Sequence, residues 1–171
     1  LDQGLYVHIY AMNSGFSSEI TIENALINMY GKCGMLIDAR NVFDTMDSKD
    51  IISWNAIITS YVYNEEGNEA LQLYSSLLLK GWMPNKVTLM SILDACASEG
   101  SAMEGRRVHI SILCLAFLSD IVLGTAIVHM YGECKASHDD ATLAFDRMPE
   151  RNLFSWNTII AMYTHKGEGI K

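Results

Sequence analysis

The chain has 171 residues, 50% hydrophobic and 19% charged, with 20 acidic and 12 basic side chains and a net charge of −8. That length holds one ordinary domain or a short repeat array, and so large an apolar share excludes intrinsic disorder. Two prolines argue against a proline-rich scaffold or a loop-heavy β-sandwich, and the acidic balance argues against a broad basic nucleic-acid-binding face, though not against a narrow groove with local positive charge. Cys33, Cys96, Cys114 and Cys134 form no CxxC pair. A zinc ribbon, a thioredoxin-type site and a disulfide framework are therefore not expected, and free thiols in a reducing compartment are.

Five related segments follow one another along the chain. They are NALINMYGKCG from Asn24, NAIITSYVYNEEG from Asn55, MSILDACASEG from Met90, TAIVHMYGECK from Thr125 and NTIIAMYTHKG from Asn157. Their starts lie 31, 35, 35 and 32 residues apart. A period in the low thirties marks stacked helical hairpins. The first helix of each hairpin carries an apolar stripe at i, i+3, i+4 and i+7: Trp54, Ile57, Ile58 and Tyr61; Leu89, Ile92, Leu93 and Cys96; Trp156, Ile159, Ile160 and Tyr163. Glu23 and Gly124 break the first place of two further stripes, which otherwise continue as Leu26, Ile27, Tyr30 and Ile127, Val128, Tyr131. Second helices show the same spacing, opened each time by a small residue, Ala39, Ala70, Gly105 or Ala141, that allows close approach. Gly34, Gly67 and Gly100 are expected to stop first helices, and Pro84 and Pro149 to follow second helices. Lys135 replaces the glycine of the fourth hairpin, with one extra residue around Ala136–His138.

Residues 110–131 are long enough and apolar enough to suggest a membrane span, but Asp120 falls in the middle, in an expected turn between helices. No membrane association is expected. No targeting leader is legible, and a start at Leu1 reads as a processed chain or a fragment.

The stretches SWNAIITSY, SWNTIIAMY, NALINMYGKCG, DARNVFDTM, EGRRVHISI and FDRMPERN resemble the pentatricopeptide repeat family, in particular the plant class that alternates standard, longer and short repeats. The resemblance covers the whole chain. It implies an all-α fold, an α-solenoid of stacked antiparallel helix pairs in a right-handed superhelix. The register it implies is a partial repeat 1–19, a short repeat 20–50, a standard repeat 51–85, a longer repeat 86–120, a short repeat 121–152 and a partial repeat 153–171. The rival tetratricopeptide pattern needs a small residue inside the first helix, where Ile27, Ile58, Leu93, Val128 and Ile160 stand here.

What the resemblance implies about function is sequence-specific binding of single-stranded RNA, one base per repeat, for RNA editing or processing in a mitochondrion or chloroplast. The residues implicated in base reading are the fifth and last of each repeat: Asn24 with Asp50, Asn55 with Asn85, Met90 with Asp120 and Thr125 with Asn152. The partial repeats supply only Glu19 and Asn157, and the methionine pair is a weak reader. By resemblance the preferences run U, then C or U, then any base, then A. The second residues Thr21, Ile52, Val87, Val122 and Phe154 would sandwich bases, and Lys32 would face phosphate. An editing or processing protein is the implied second partner, with no cofactor and no metal. The alternative is a helical-repeat scaffold that binds proteins and not RNA.

Plainer roles compete for the same residues. Asn24, Asn55 and Asn157 would serve as N-caps or surface amides, Trp54 and Trp156 as core, and Met12, Met29, Met46, Met103, Met130 and Met148 as gap-fillers. His8 and His109 occupy equivalent places and read as packing residues, while His129 and Cys134 lack the further ligands that a metal needs. The deaminase pattern H-x-E with P-C-x-x-C is absent, as are phosphate-loop and hydrolase motifs, so the chain reads as non-catalytic. Incomplete terminal repeats lead us to expect fraying of residues 153–171 and self-association through uncapped ends.

Overall fold

A computed structural model describes residues 2–14, 19–115, 117, 119–134 and 138–165. Ten α-helices account for almost all of them: α1 Asp2–Asn13, α2 Ile20–Lys32, α3 Leu36–Thr45, α4 Ile51–Tyr63, α5 Gly67–Leu79, α6 Lys86–Ser98, α7 Ala102–Cys114, α8 Ile121–Glu133, α9 His138–Asp146 and α10 Leu153–His165. No strand occurs among the described residues. The chain divides into two compact units, residues 1–88 and 89–171, with the division inside α6.

In the first unit α2 packs against α1, α3 and α4, and α4 against α3 and α5. The stripes read from the sequence form its core: Leu26, Ile27, Tyr30, Val42, Phe43, Trp54, Ile57, Ile58, Leu73 and Leu77 are buried. Each such side chain contributes about 1.5–3 kcal/mol by leaving water. Gly31 sets the spacing of α2 and α4, because a Cβ there would run into the Ser60 side chain. The freed space lets Asn64 Nδ2 donate to the Gly31 and Ser60 carbonyls at 2.8 and 2.7 Å.

Helix stops differ in one respect from the expectation. Gly34 adopts φ 73° and closes α2 with bonds from its own N–H to Gly31 O and from Met35 N to Tyr30 O. Gly67 does no such thing; it is the first residue of α5. Glu65 takes the left-handed conformation there, φ 63°, and the same bond pair forms from Glu65 to Val62 and from Glu66 to Tyr61. The bond pattern therefore outweighs the cost of a side chain in that conformation.

In the second unit α8 packs against α7, α9 and α10. Leu89, Ile92, Leu93, Val108, Ile112, Leu123, Ile127, Val128, Phe145 and Ile159 are buried. Gly105 allows close approach as expected, since a Cβ would collide with Met130. Cys96 and Cys134 are buried free thiols, with Cys134 Sγ donating to Cys96 O at 3.4 Å, and burial pushes the Cys96 thiol up to about 12. Cys33 and Cys114 are exposed free thiols.

Two expectations are corrected. Trp156 and Ile160 are 50% and 55% exposed, against 2% and 0% for the matching Trp54 and Ile58. The α4 stripe is covered by α5, whereas no described helix follows α10. Met103 is exposed and fills no gap. Residues 153–165 form a full helix with Ile159 and Met162 buried. Lys135, the insertion at residues 136–137 and the last six residues lie outside the described residues, as do the side chains of Met12 and His138. Residues 110–131 contain the end of α7 and most of α8, and no described helix is long and apolar enough to cross a membrane.

Candidate nucleic-acid interface

Asn24, Asn55, Met90, Thr125 and Asn157 are each the fifth residue of a 13-residue helix. None is an N-cap. That role falls to the residue before each helix, the last of the preceding repeat in the register. Asp50 Oδ1 accepts from Ser53 N at 2.8 Å and Ser53 Oγ at 3.0 Å, while Asp50 N donates to Ser53 Oγ at 3.2 Å. Asn85 and Thr88 exchange the same pair of bonds at 3.1 and 3.2 Å, and Asn152 and Ser155 at 3.0 and 2.9 Å. These are capping boxes, each cap contributing about 1 kcal/mol. Asp120 accepts from Val122 N and Leu123 N, but Leu123 has no hydroxyl to return a bond. Glu19 makes no side-chain cap bond.

Two of the implicated pairs meet in the first unit. Asn24, 7% exposed, lies beside the Asp50 carboxylate and helps hold it ionised, and its own Oδ1 is buried with no hydrogen-bond partner among the described residues. Burial pushes the Asp50 carboxyl up, but Ser53, Asn24 and Ile52 together outweigh it and hold the group below its ordinary value of 3.8. Asp50 is therefore ionised at neutral pH and offers acceptors only. Asn55 Nδ2 donates to Asn85 Oδ1 at 3.1 Å, and Thr88 Oγ1 reaches Asn55 Oδ1 at 2.6 Å and Asn85 Oδ1 at 3.1 Å.

The second unit is arranged differently. Thr125 Oγ1 donates to the Ile121 carbonyl of its own helix at 2.7 Å. Among the described residues no side-chain hydrogen bond joins Thr125 to Asn152, which is exposed and engaged with Ser155. Met90 is half-buried and Asn157 exposed.

Thr21, Ile52, Val87, Val122 and Phe154 are all exposed at the second place of their helices. Lys32 is exposed in the last turn of α2. Several other cations are held by the protein. Lys49, Lys80 and Arg151 lie over the rings of Phe43, Trp54 and Phe145, while Arg40, Arg106 and Arg107 pair with Asp44, Asp140 and Glu104. His129 and Glu133 are exposed, Cys134 is buried, and no metal-binding group of three or more His, Cys, Asp or Glu occurs among the described residues.

Models of the PPR repeat match residues 24–51 and, as the PPR repeat family, residues 49–98. The chain belongs to the pentatricopeptide repeat family. A chloroplastic pentatricopeptide repeat-containing protein of Arabidopsis thaliana is 39% identical over 98% of this chain and 21% of its own length. A mitochondrial one from the same plant is 34% identical over 98% of this chain and 22% of its own. The chain thus spans about a fifth of the curated relatives it matches. The crystal structure of the pentatricopeptide repeat protein PPR10 from maize superposes with a TM-score of 0.75 at 18% identity, over 92% of this chain and 24% of that one. The fold is accordingly an all-α solenoid of helix pairs.

Two features of these positions were not expected from the sequence. Residues 50, 85 and 152, last in their repeats by the expected register, also cap the helix that follows, a signal legible as Asp or Asn followed three places on by Ser or Thr. The second is Thr88, whose hydroxyl joins one implicated pair.

Proposed function

We propose that this chain is a module that binds single-stranded RNA sequence-specifically, each repeat meeting one base. The pairing of Asn24 with Asp50 and of Asn55 with Asn85 carries this reading. Each pair brings the fifth residue of one repeat to its last, at a helix N-terminus, with an exposed side chain two places on at Ile52 and Val87. A single-stranded base needs those two things, polar atoms for its Watson–Crick edge and an apolar surface for its face.

The chemistry of each pair sets the base. Asp50 offers acceptors only, the complement of the uracil N3–H. Asn85 in the same place adds a donor, which admits cytosine. Met90 makes no strong directional bond, so the repeat holding it with Asp120 accepts any base. Thr125 and Asn152 together supply donors and an acceptor for the adenine edge. The order is U, C or U, any base, then A, from 5′ to 3′ along the protein. Thr21, Ile52, Val87, Val122 and Phe154 sandwich the bases and Lys32 faces phosphate. Glu19 and Asn157 belong to incomplete pairs. The module serves editing or processing of RNA in a chloroplast or mitochondrion, recruiting a protein partner for the chemistry.

Fluorescence anisotropy with short RNAs carrying a U-Y-N-A core tests this at two salt concentrations. Tighter binding to that core than to base-swapped or double-stranded controls is expected. Equal binding to all of them, or none at low salt, would contradict the proposal.

A further inference from the structure

We infer that Thr88 decides which pyrimidine the Asn55–Asn85 pair accepts: its backbone N–H orients Asn85 and its hydroxyl holds Asn55, so that both present N–H donors, which selects cytosine over uracil. This rests on the RNA-reading proposal above.

The orientation of Asn85 and that of the Thr88 hydroxyl follow from two backbone N–H groups, which only donate. Thr88 N–H meets the Asn85 side chain at 3.1 Å, so the atom facing it is the carbonyl oxygen and the Asn85 nitrogen is turned away. The Asn55 atom 3.1 Å from that oxygen must then be nitrogen. The other Asn55 atom, its oxygen, therefore faces Thr88 Oγ1 at 2.6 Å. Asn85 N–H donates into Thr88 Oγ1 at 3.2 Å and occupies one of its lone pairs. The hydroxyl proton is left to bond Asn55 Oδ1, the shorter of its two contacts. In this closed ring the unspent hydrogens are both on Asn85 Nδ2 and one on Asn55 Nδ2. Cytosine offers N3 and O2, both acceptors. Uracil places N3–H between its two carbonyls, so donor would face donor.

The Asn24–Asp50 pair shows what happens without the lock. Ser53 stands where Thr88 does, but its hydroxyl goes to the Asp50 carboxylate, and Asn24 Oδ1 is left without a partner among the described residues. Thr88 is fully buried, so it is a positioning residue that acts through the two asparagines.

The test compares wild type, Thr88→Ser and Thr88→Val against RNAs that differ only in C or U at the base met by residues 51–85, with thermal unfolding alongside. Wild type and Thr88→Ser should prefer cytosine about five-fold, the size of one neutral hydrogen bond. Thr88→Val keeps the backbone N–H but frees Asn55 Oδ1, so it should lower that preference while still preferring uracil at the base met by Asn24 and Asp50. Thr88→Ala, which also lacks the hydroxyl, replaces the valine variant if that one unfolds. An unchanged C-to-U ratio in the variant without hydroxyl, or no C-to-U difference in wild type that binds RNA, overturns the role of Thr88 alone. Wild type that binds no RNA overturns the RNA-reading proposal with it.

Discussion

The two units build the same packing motifs but not the same polar pairs. Phe43 meets Trp54 edge-on at 4.9 Å and 72° in the first, and Phe145 meets Trp156 at 4.8 Å and 72° in the second. His8–Tyr30 and His109–Tyr131 repeat as well, at 5.6 and 5.8 Å, each with a ring-nitrogen-to-hydroxyl hydrogen bond. A cation lies over the phenylalanine in both, Lys49 over Phe43 and Arg151 over Phe145. Asn55 and Asn85 of the first unit, by contrast, bond side chain to side chain, whereas Thr125 turns to its own backbone. Packing is set by apolar and aromatic residues on the inner stripes. The polar residues of the candidate pairs sit just before the helices or at their fifth places.

Covering is where the matched aromatic pairs differ, and it gives the largest expected effect. Trp54→Ala should cost about 3–5 kcal/mol, as removal of a buried aromatic does. Trp156→Ala, half-exposed, should cost less than half as much. Urea denaturation of both variants measures this, and equal losses would mean that the exposed face of α10 is covered in solution.

A smaller effect belongs to His109. Burial, then the charge of Arg147, hold its pKa below the ordinary 6.5, with Asp140 opposing. The folded state therefore prefers the neutral ring. Its contribution is fully present above 6.5 and is lost as pH falls from there toward the lowered value. Melting temperatures of wild type should drop between about pH 7 and pH 5, and His109→Phe should flatten that drop. An identical slope in both would place the acid sensitivity elsewhere.

Much of the fold was legible because it rests on local chemistry. The i, i+3, i+4, i+7 stripes fixed the helix faces, and Ala39, Ala70 and Ala141, all fully buried, marked the close approaches. Helix stops were legible only where glycine supplies them. Nothing in the residue type of Glu65 announces a left-handed turn, which the bonds to Val62 and Tyr61 impose. The exposure of Trp156 was hidden because a stripe shows which face is apolar, not whether a neighbour covers it. At the candidate site, positions could be read by register, but the bonds between them could not. His8 with Tyr30, and Asn55 with Asn85 and Thr88, lie 22 to 33 residues apart, and which side chains meet depends on how helices stack.

Asp50→Ser tests the central claim most directly, because serine is itself a good N-cap and leaves the helix start intact. Binding of wild type and variant would be compared on RNAs with each of the four bases at the place met by Asn24 and residue 50. The preference should move from uracil toward cytosine while discrimination at the other positions and the unfolding temperature stay as they are. A variant that keeps the wild-type preference for uracil would show that Asp50 caps α4 and reads nothing.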